Sequence, residues 1–179
     1  NMISATPSGG WLQSSPVIPE LGFGLGTRAQ AFWLDEKHPA GLAPGKRPRT
    51  TLSPTLALRD GEPYLAWGSP GGDQQDQWTT QFFLRHAHCK MNLQEAIDSP
   101  AWHSEHFPIS FWPRTARPGV LVLEDRVPKT SVEELKKRGH IVEIGPGWSE
   151  GRLTAASREG RRRRAAANPR GMQGYAAGR

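Results

Sequence analysis

Apolar positions gather in Thr55–Leu58 and Tyr64–Trp67, two short runs rich in β-forming residues with polar Asp60-Gly61 between them. This pattern predicts a β-hairpin closed by a tight turn. The second run leads into Gly68-Ser69-Pro70-Gly71-Gly72-Asp73, and there the period changes. Trp78, Phe82 and Phe83 fall on one side and Gln or Asp on the other, which predicts a helix from Asp73 to about His88. Its acidic and amide-rich first turn suits the positive end of a helix dipole, and His86 and His88 suit the negative end. Two histidines at that spacing do not share a helix face, which argues against a metal pair. Met91–Asp98 predicts a second, short helix capped by Asn92 and ended before Pro100. Gly119–Asp125 reads as a strand, Ser131–Glu134 as a capping box opening a helix to Arg138, and Ile141–Ile144 as a strand. Arg152–Ser157 and Arg163–Ala167 predict a last hairpin around Glu159-Gly160. At the other end, Met2, Ile3 and Ala5 predict a buried strand stopping at Pro7, and Gly26–Asp35 a short strand or turn. Strands and helices come in blocks without strict alternation, so the expected class is α+β, in one domain.

Composition changes this picture little. The chain has 179 residues, enough for one core, but only 36% are hydrophobic, while 20 are Gly and 16 Pro. Seven Trp offer large aromatic packing surfaces, some of them suited to a partner. No apolar run approaches the length of a membrane span. Cys89 is the only cysteine, so an internal disulfide is impossible and the compartment stays open; a cytoplasmic location is the expectation. The chain opens with Asn and runs straight into strand-like sequence, and is read as a piece of a longer protein.

The net charge of +6 raises the question of nucleic acid. From Arg152 to Arg179 there are eight Arg and one acid, so the rest of the chain sums to −1. Arg161–Arg164 follow a turn signal and read as a solvated turn and strand edge, with weak, salt-sensitive polyanion contact as the alternative. His103 and His106 lie in an aromatic, Pro-rich segment with no Cys or carboxylate cluster at ligand spacing, and no metal site is expected.

The chemistry concentrates around Gly71-Gly72. A strand, a pair of glycines and a helix start can aim backbone N–H groups at a developing negative charge, because glycine lets the chain approach closely. By itself the pattern also fits an ordinary chain reversal. The neighbouring words are more specific. PGKRPRTTLSPTLALRDGEPYLAWGSPGG, followed by Met91–Asp98 and Pro100-Ala101-Trp102-His103, closely resembles the small subunit of the γ-glutamyltranspeptidase family, which are N-terminal nucleophile (Ntn) hydrolases. The resemblance extends more loosely from Asn1 to the closing Asn-Pro-Arg and Gly-Tyr-Ala-Ala-Gly-Arg.

That resemblance implies an αββα four-layer sandwich, of which residues 1–179 are the C-terminal part of the small, catalytic subunit. It implies a heterodimer with a large subunit cut from the same precursor, and no cofactor. The nucleophile is the N-terminal Thr of the small subunit, whose own amine serves as base. It lies roughly a dozen residues upstream of Asn1, so this piece alone is expected to be inactive. The substrate is a glutathione-like γ-glutamyl amide, and water or an amine accepts the acyl group. By the resemblance Ser8 supports the nucleophile's hydroxyl, and Gly71 and Gly72 form the oxyanion hole. Asp35 binds the substrate α-amino group, and Thr50 and Thr51 bind its α-carboxylate. Two positions depart from the pattern: Gly10 and Phe32 stand where the family has an Asn and a Gln that hydrogen-bond the glutamyl group. Gln13, Arg28 and Gln30 are possible substitutes. Loss of such contacts loosens selectivity, so an acylase of the same fold stays open as an alternative, as does a non-catalytic interaction protein.

Overall fold

The computed structural model describes residues 1–6, 15–170 and 174–178. Its centre is a four-stranded antiparallel sheet in the order β3 (Thr55–Arg59), β4 (Glu62–Gly68), β8 (Thr154–Glu159), β9 (Arg162–Ala167). Two minor strands, β1 (Val17–Ile18) and β2 (Phe23–Gly24), precede it as a separate pair.

The first hairpin forms as the two β-rich runs and the Asp60-Gly61 turn predict. Asp60 and Gly61 both take positive φ, 53° and 81°, the conformation of a turn that matches the right-handed twist of the flanking strands. Register places Ala57, Leu65 and Ser157 on one face, joined by Trp67, Ala155 and Ala166. That face is covered by α1 (Gln75–Ala87) and α2 (Leu93–Asp98). Leu65, Trp67, Trp78, Phe82, Leu93, Ile97 and Leu153 form the core between them. The α2 helix starts at a capping box in which the Asn92 side chain accepts from Glu95 N–H while the Glu95 carboxylate accepts from Asn92 N–H.

A second sheet runs β5 (Trp102–Ser104), β6 (Val120–Glu124), β7 (Ile141–Gly145), with β6 and β7 parallel and joined through α3 (Lys129–Lys137). The two sheets and three helices make a mixed α+β fold, as expected.

Two local expectations fail. Ser131 does not open α3: Pro128 C=O already accepts from the Ser131 and Val132 N–H groups, so the helix has begun at Lys129 and its N-cap has no side-chain partner. Met2–Ala5 is not a strand, and Ile3 is exposed. Both edges of β4 are already occupied, by β3 and β8, which leaves the segment no edge there to pair with. Ser4 Oγ instead accepts from Thr55 N–H and donates to Trp67 C=O at the end of the hairpin. Within Gly26–Asp35, where a short strand or turn was expected, the turn forms, as a 3₁₀ turn over Arg28–Ala31.

Candidate active site

The strand β4 ends at Gly68, and Ser69–Gly72 carries the chain to the start of α1 along the wall of a cleft of about 960 Å³. The cleft lies over the sheet face turned away from α1 and α2, with Ala66, Ala156 and Ala165 in its lining. Thr6 and Thr51 also line it, and so do Arg28, Gln30 and Arg152.

Gly71 and Gly72 both line the cleft, and both have positive φ, 134° and 59°. They differ in what lies beneath them. A Cβ on Gly71 would sit 2.2 Å from Cζ3 of the Trp78 ring, whereas a Cβ on Gly72 would meet nothing nearer than 3.7 Å. Gly71 is therefore required on steric and torsional grounds together, because its backbone is laid directly against the indole. The Gln75 amide ties the loop together: its nitrogen faces the Ser69 and Thr51 carbonyls at 2.7 and 3.1 Å, and its oxygen lies 3.3 Å from Gly72 N. The Gly72 N–H thus has a long internal partner. Asp73, next in the chain, accepts from Ser110 N–H at 2.8 Å and from Ser110 Oγ–H at 2.5 Å.

Of the residues singled out by sequence, the structure brings together Gly71, Gly72 and Thr51. Thr51 is buried, and its Oγ1 makes no hydrogen bond among the described residues. Thr50 is exposed and its Oγ1 accepts from Leu52 N–H at 3.1 Å; it does not line the cleft. Asp35 is also exposed and outside the lining, where its Oδ1 accepts from Lys37 N–H at 2.9 Å. Phe32 is half-buried, and its carbonyl accepts from Arg114 Nη2 at 2.5 Å. Arg28 and Gln30 line the cleft. Ser8, Gly10 and Gln13 lie outside the described residues.

A buried polar cluster behind the glycine loop has no counterpart in the sequence reading. Trp78 Nε1–H donates to Glu150 Oε2 at 3.2 Å, and the same oxygen lies 2.6 Å from His103 Nδ1. Glu150 N–H donates to Glu124 Oε1 at 3.0 Å. Glu124 is fully buried and paired with Arg126 and Arg170, the latter also donating to Ile97 C=O at 2.9 Å. Burial pulls the His103 imidazole down, but the hydrogen bond and charge of Glu150, joined by those of Glu105, outweigh it and leave its pKa raised. These residues are distant along the chain, 47 positions separating His103 from Glu150, so no local motif announces them. No group of His, Cys, Asp and Glu among the described residues is arranged to hold a metal ion. No described helix is long and apolar enough to cross a membrane.

The sequence profile described as Gamma-glutamyltranspeptidase matches residues 1–178. The chain is similar to an oxamate amidohydrolase proenzyme of Klebsiella pneumoniae subsp. pneumoniae, 36% identical over 138 residues, which are 76% of this chain and 25% of that protein. It is 32% identical over 133 residues to the glutathione hydrolase-like YwrD proenzyme of Bacillus subtilis, covering 73% of this chain and 24% of that one. Proteins named acylase proenzymes also match. Among solved structures, one titled LmbA2991HD superposes with a TM-score of 0.88 at 58% identity, over 97% of this chain and 31% of its own. The chain thus spans about a quarter of the length of the curated relatives it matches.

Proposed function

This chain belongs to the γ-glutamyltranspeptidase family, and on that premise we propose that it is the C-terminal part of the catalytic half of an amide-cleaving Ntn hydrolase. The observation that carries the reading is the Gly71-Gly72 loop on the cleft wall, with Gly71 pressed onto the Trp78 ring. A substrate carbonyl at that wall meets backbone N–H groups held by the strand before them and the helix after them. A fixed donor of this kind stabilises a tetrahedral oxyanion more than the ground-state carbonyl and lowers the barrier to acyl transfer. Binding of the oxyanion displaces the long contact of Gly72 N–H with Gln75. The attacking Thr, with its own α-amine as base, precedes Asn1 in the precursor, and Ser8 supports its hydroxyl. Acyl transfer to that Thr releases the amine, and water or a second amine then takes the acyl group.

The partner is the remainder of the same precursor, as a large subunit. One face of the four-stranded sheet supports this, since it carries Leu56 and Leu58, which are exposed, opposite the face that α1 and α2 cover. A second sheet laid there completes the sandwich and buries those residues.

The default substrates are γ-glutamyl amides, with Thr51 receiving the α-carboxylate. A second reading, a non-glutamyl amide, is favoured by the position of Asp35, which lies outside the cleft lining where the substrate ammonium needs a counter-charge. A substrate panel on the full-length gene product separates the two. Turnover of a γ-glutamyl anilide supports the first, and turnover of oxamate or an aliphatic acyl amide alone supports the second. No turnover of any amide by a correctly folded protein overturns the enzyme reading in favour of an interaction protein.

A further inference from the structure

We infer that His103 and Glu150 are positioning residues for the Gly71-Gly72 loop, acting through the indole of Trp78; this rests on the oxyanion reading of that loop.

Trp78 has two separate contacts with opposite sides of the site. The six-membered edge of its ring is the surface on which Gly71 lies, so near that Cζ3, Cη2 and Cε3 all fall within 3.1 Å of where a Cβ would be. Its other edge points the Nε1–H at Glu150 Oε2. Trp78 is 6% exposed and sits in the first turns of α1, whose start is the loop itself. Rotation of the indole would therefore move the surface beneath Gly71. The tie to Glu150 opposes that rotation.

Glu150 is itself held from two further directions. His103 Nδ1–H donates to the oxygen that receives the indole, and the imidazole packs edge-on against the Trp78 ring, centroids 6.3 Å apart at 83°. The Glu150 backbone N–H is anchored on Glu124, which Arg126 and Arg170 neutralise. On the far side of the imidazole, Nε2 lies 3.5 Å from Glu105 Oε1, and Glu105 is paired with Arg117, which also pairs with Glu143 of β7. The α1 residues facing this region, Gln77 and Trp78, carry no charge; Gln77 is bonded to the Ser104 backbone. Every named charged group around the imidazole thus acts either on Glu150 or on Glu105. The arrangement leaves Glu150 Oε2 fixed between two N–H donors, a geometry that sets the angle of the indole plane.

A shift of the loop by a few tenths of an ångström leaves substrate binding nearly unchanged but misaims donors at the oxyanion. The loss therefore falls on kcat and spares KM. Removal of a whole oxyanion donor costs ~10²–10³ in rate, so a misaimed one is expected to cost about 10- to 100-fold.

The test uses the full-length protein and an amide substrate that the wild type turns over. His103→Ala and Trp78→Phe are expected to lower kcat about 10- to 100-fold, with KM within about twofold. His103→Gln, whose amide can still donate to Glu150 Oε2, is expected to recover part of that loss, which a general loss of stability would not give. As a second measurement, the Trp78 indole N–H signal in the ¹⁵N-tryptophan spectrum is expected to move with pH in the wild type and to stop doing so in His103→Gln. An active wild type whose kcat is unchanged in His103→Ala and Trp78→Phe, or whose Trp78 signal ignores pH, overturns this inference and leaves the amide reading standing. An inactive wild type overturns both. Loss of activity at Gly71→Ala with full activity at His103→Ala counts against the inference alone.

Discussion

At the residue scale, Gly71 and Gly72 look alike in sequence and are not alike in space. Both need a left-handed backbone, but only Gly71 faces an aromatic ring at contact distance. Gly72→Ala is expected to cost about 1 kcal/mol, the ordinary left-handed penalty for a residue with a Cβ. Gly71→Ala must displace either the indole or the loop, so it is expected to lower kcat of the full-length protein at least ~10²-fold. Steady-state kinetics with a thermal melt on each variant checks the contrast, and equal effects would show that Trp78 does not set the loop. The titration of His103 makes a separate prediction. Its raised pKa means that folding favours the protonated imidazole. That contribution is fully present below the ordinary value of 6.5 and is lost as pH rises through the raised one. The melting temperature is therefore expected to fall as pH rises above 6.5 and through the raised value, and His103→Gln to flatten that slope. The glycine pair was legible in the sequence because its motif is contiguous. The cluster behind it was not, because His103, Glu150 and Trp78 come from three segments and each alone reads as an ordinary core or loop residue.

At the element scale, contiguous signals held where the partner was also local. The Asp60-Gly61 hairpin, the last hairpin from Thr154 to Ala167 and the α2 capping box each satisfy their backbone groups within a few residues. Asn92→Ala removes an N-cap acceptor and is expected to destabilise the full-length protein by ~1 kcal/mol, read from a denaturant midpoint. A change below a few tenths would show that the helix end is held by its packing alone. Ser131–Glu134 has the same sequence grammar, yet the helix begins before it, because Pro128 is in an extended conformation and offers its carbonyl to the first helical N–H groups. A capping motif states that a helix can start; which of two nearby starts is used depends on where the preceding strand ends. The Met2–Ala5 alternation failed for a comparable reason. The edges of β4 were taken by segments at positions 55–59 and 154–159, and the segment is tied to the hairpin end through the Ser4 hydroxyl instead.

At the scale of the molecule, the chain presents a sheet with one finished face. Leu56 and Leu58 on the other face are 54% and 66% exposed, which in water invites association. The 179 residues expressed alone are expected to self-associate and to show no amidase turnover, whereas the full-length product remains dispersed. Light scattering and a turnover assay check both, and turnover by the isolated piece would overturn the upstream nucleophile. Intact mass and N-terminal sequencing of the full-length product are expected to give two chains, the smaller starting at a Thr upstream of Asn1; a single chain would count against autoprocessing. The sequence by itself determined the family, the α+β class, the hairpins and the glycine pair, because each is written in neighbouring residues whose geometry is set by local sterics and hydrogen bonds. Only the tertiary structure decided which predicted site residues meet at the cleft, why Gly71 in particular admits no side chain, and what holds the ring beneath it. Those depend on contacts between segments tens of residues apart, and the burial that joins such segments acts through area and fit, which leave no fixed spacing along the chain.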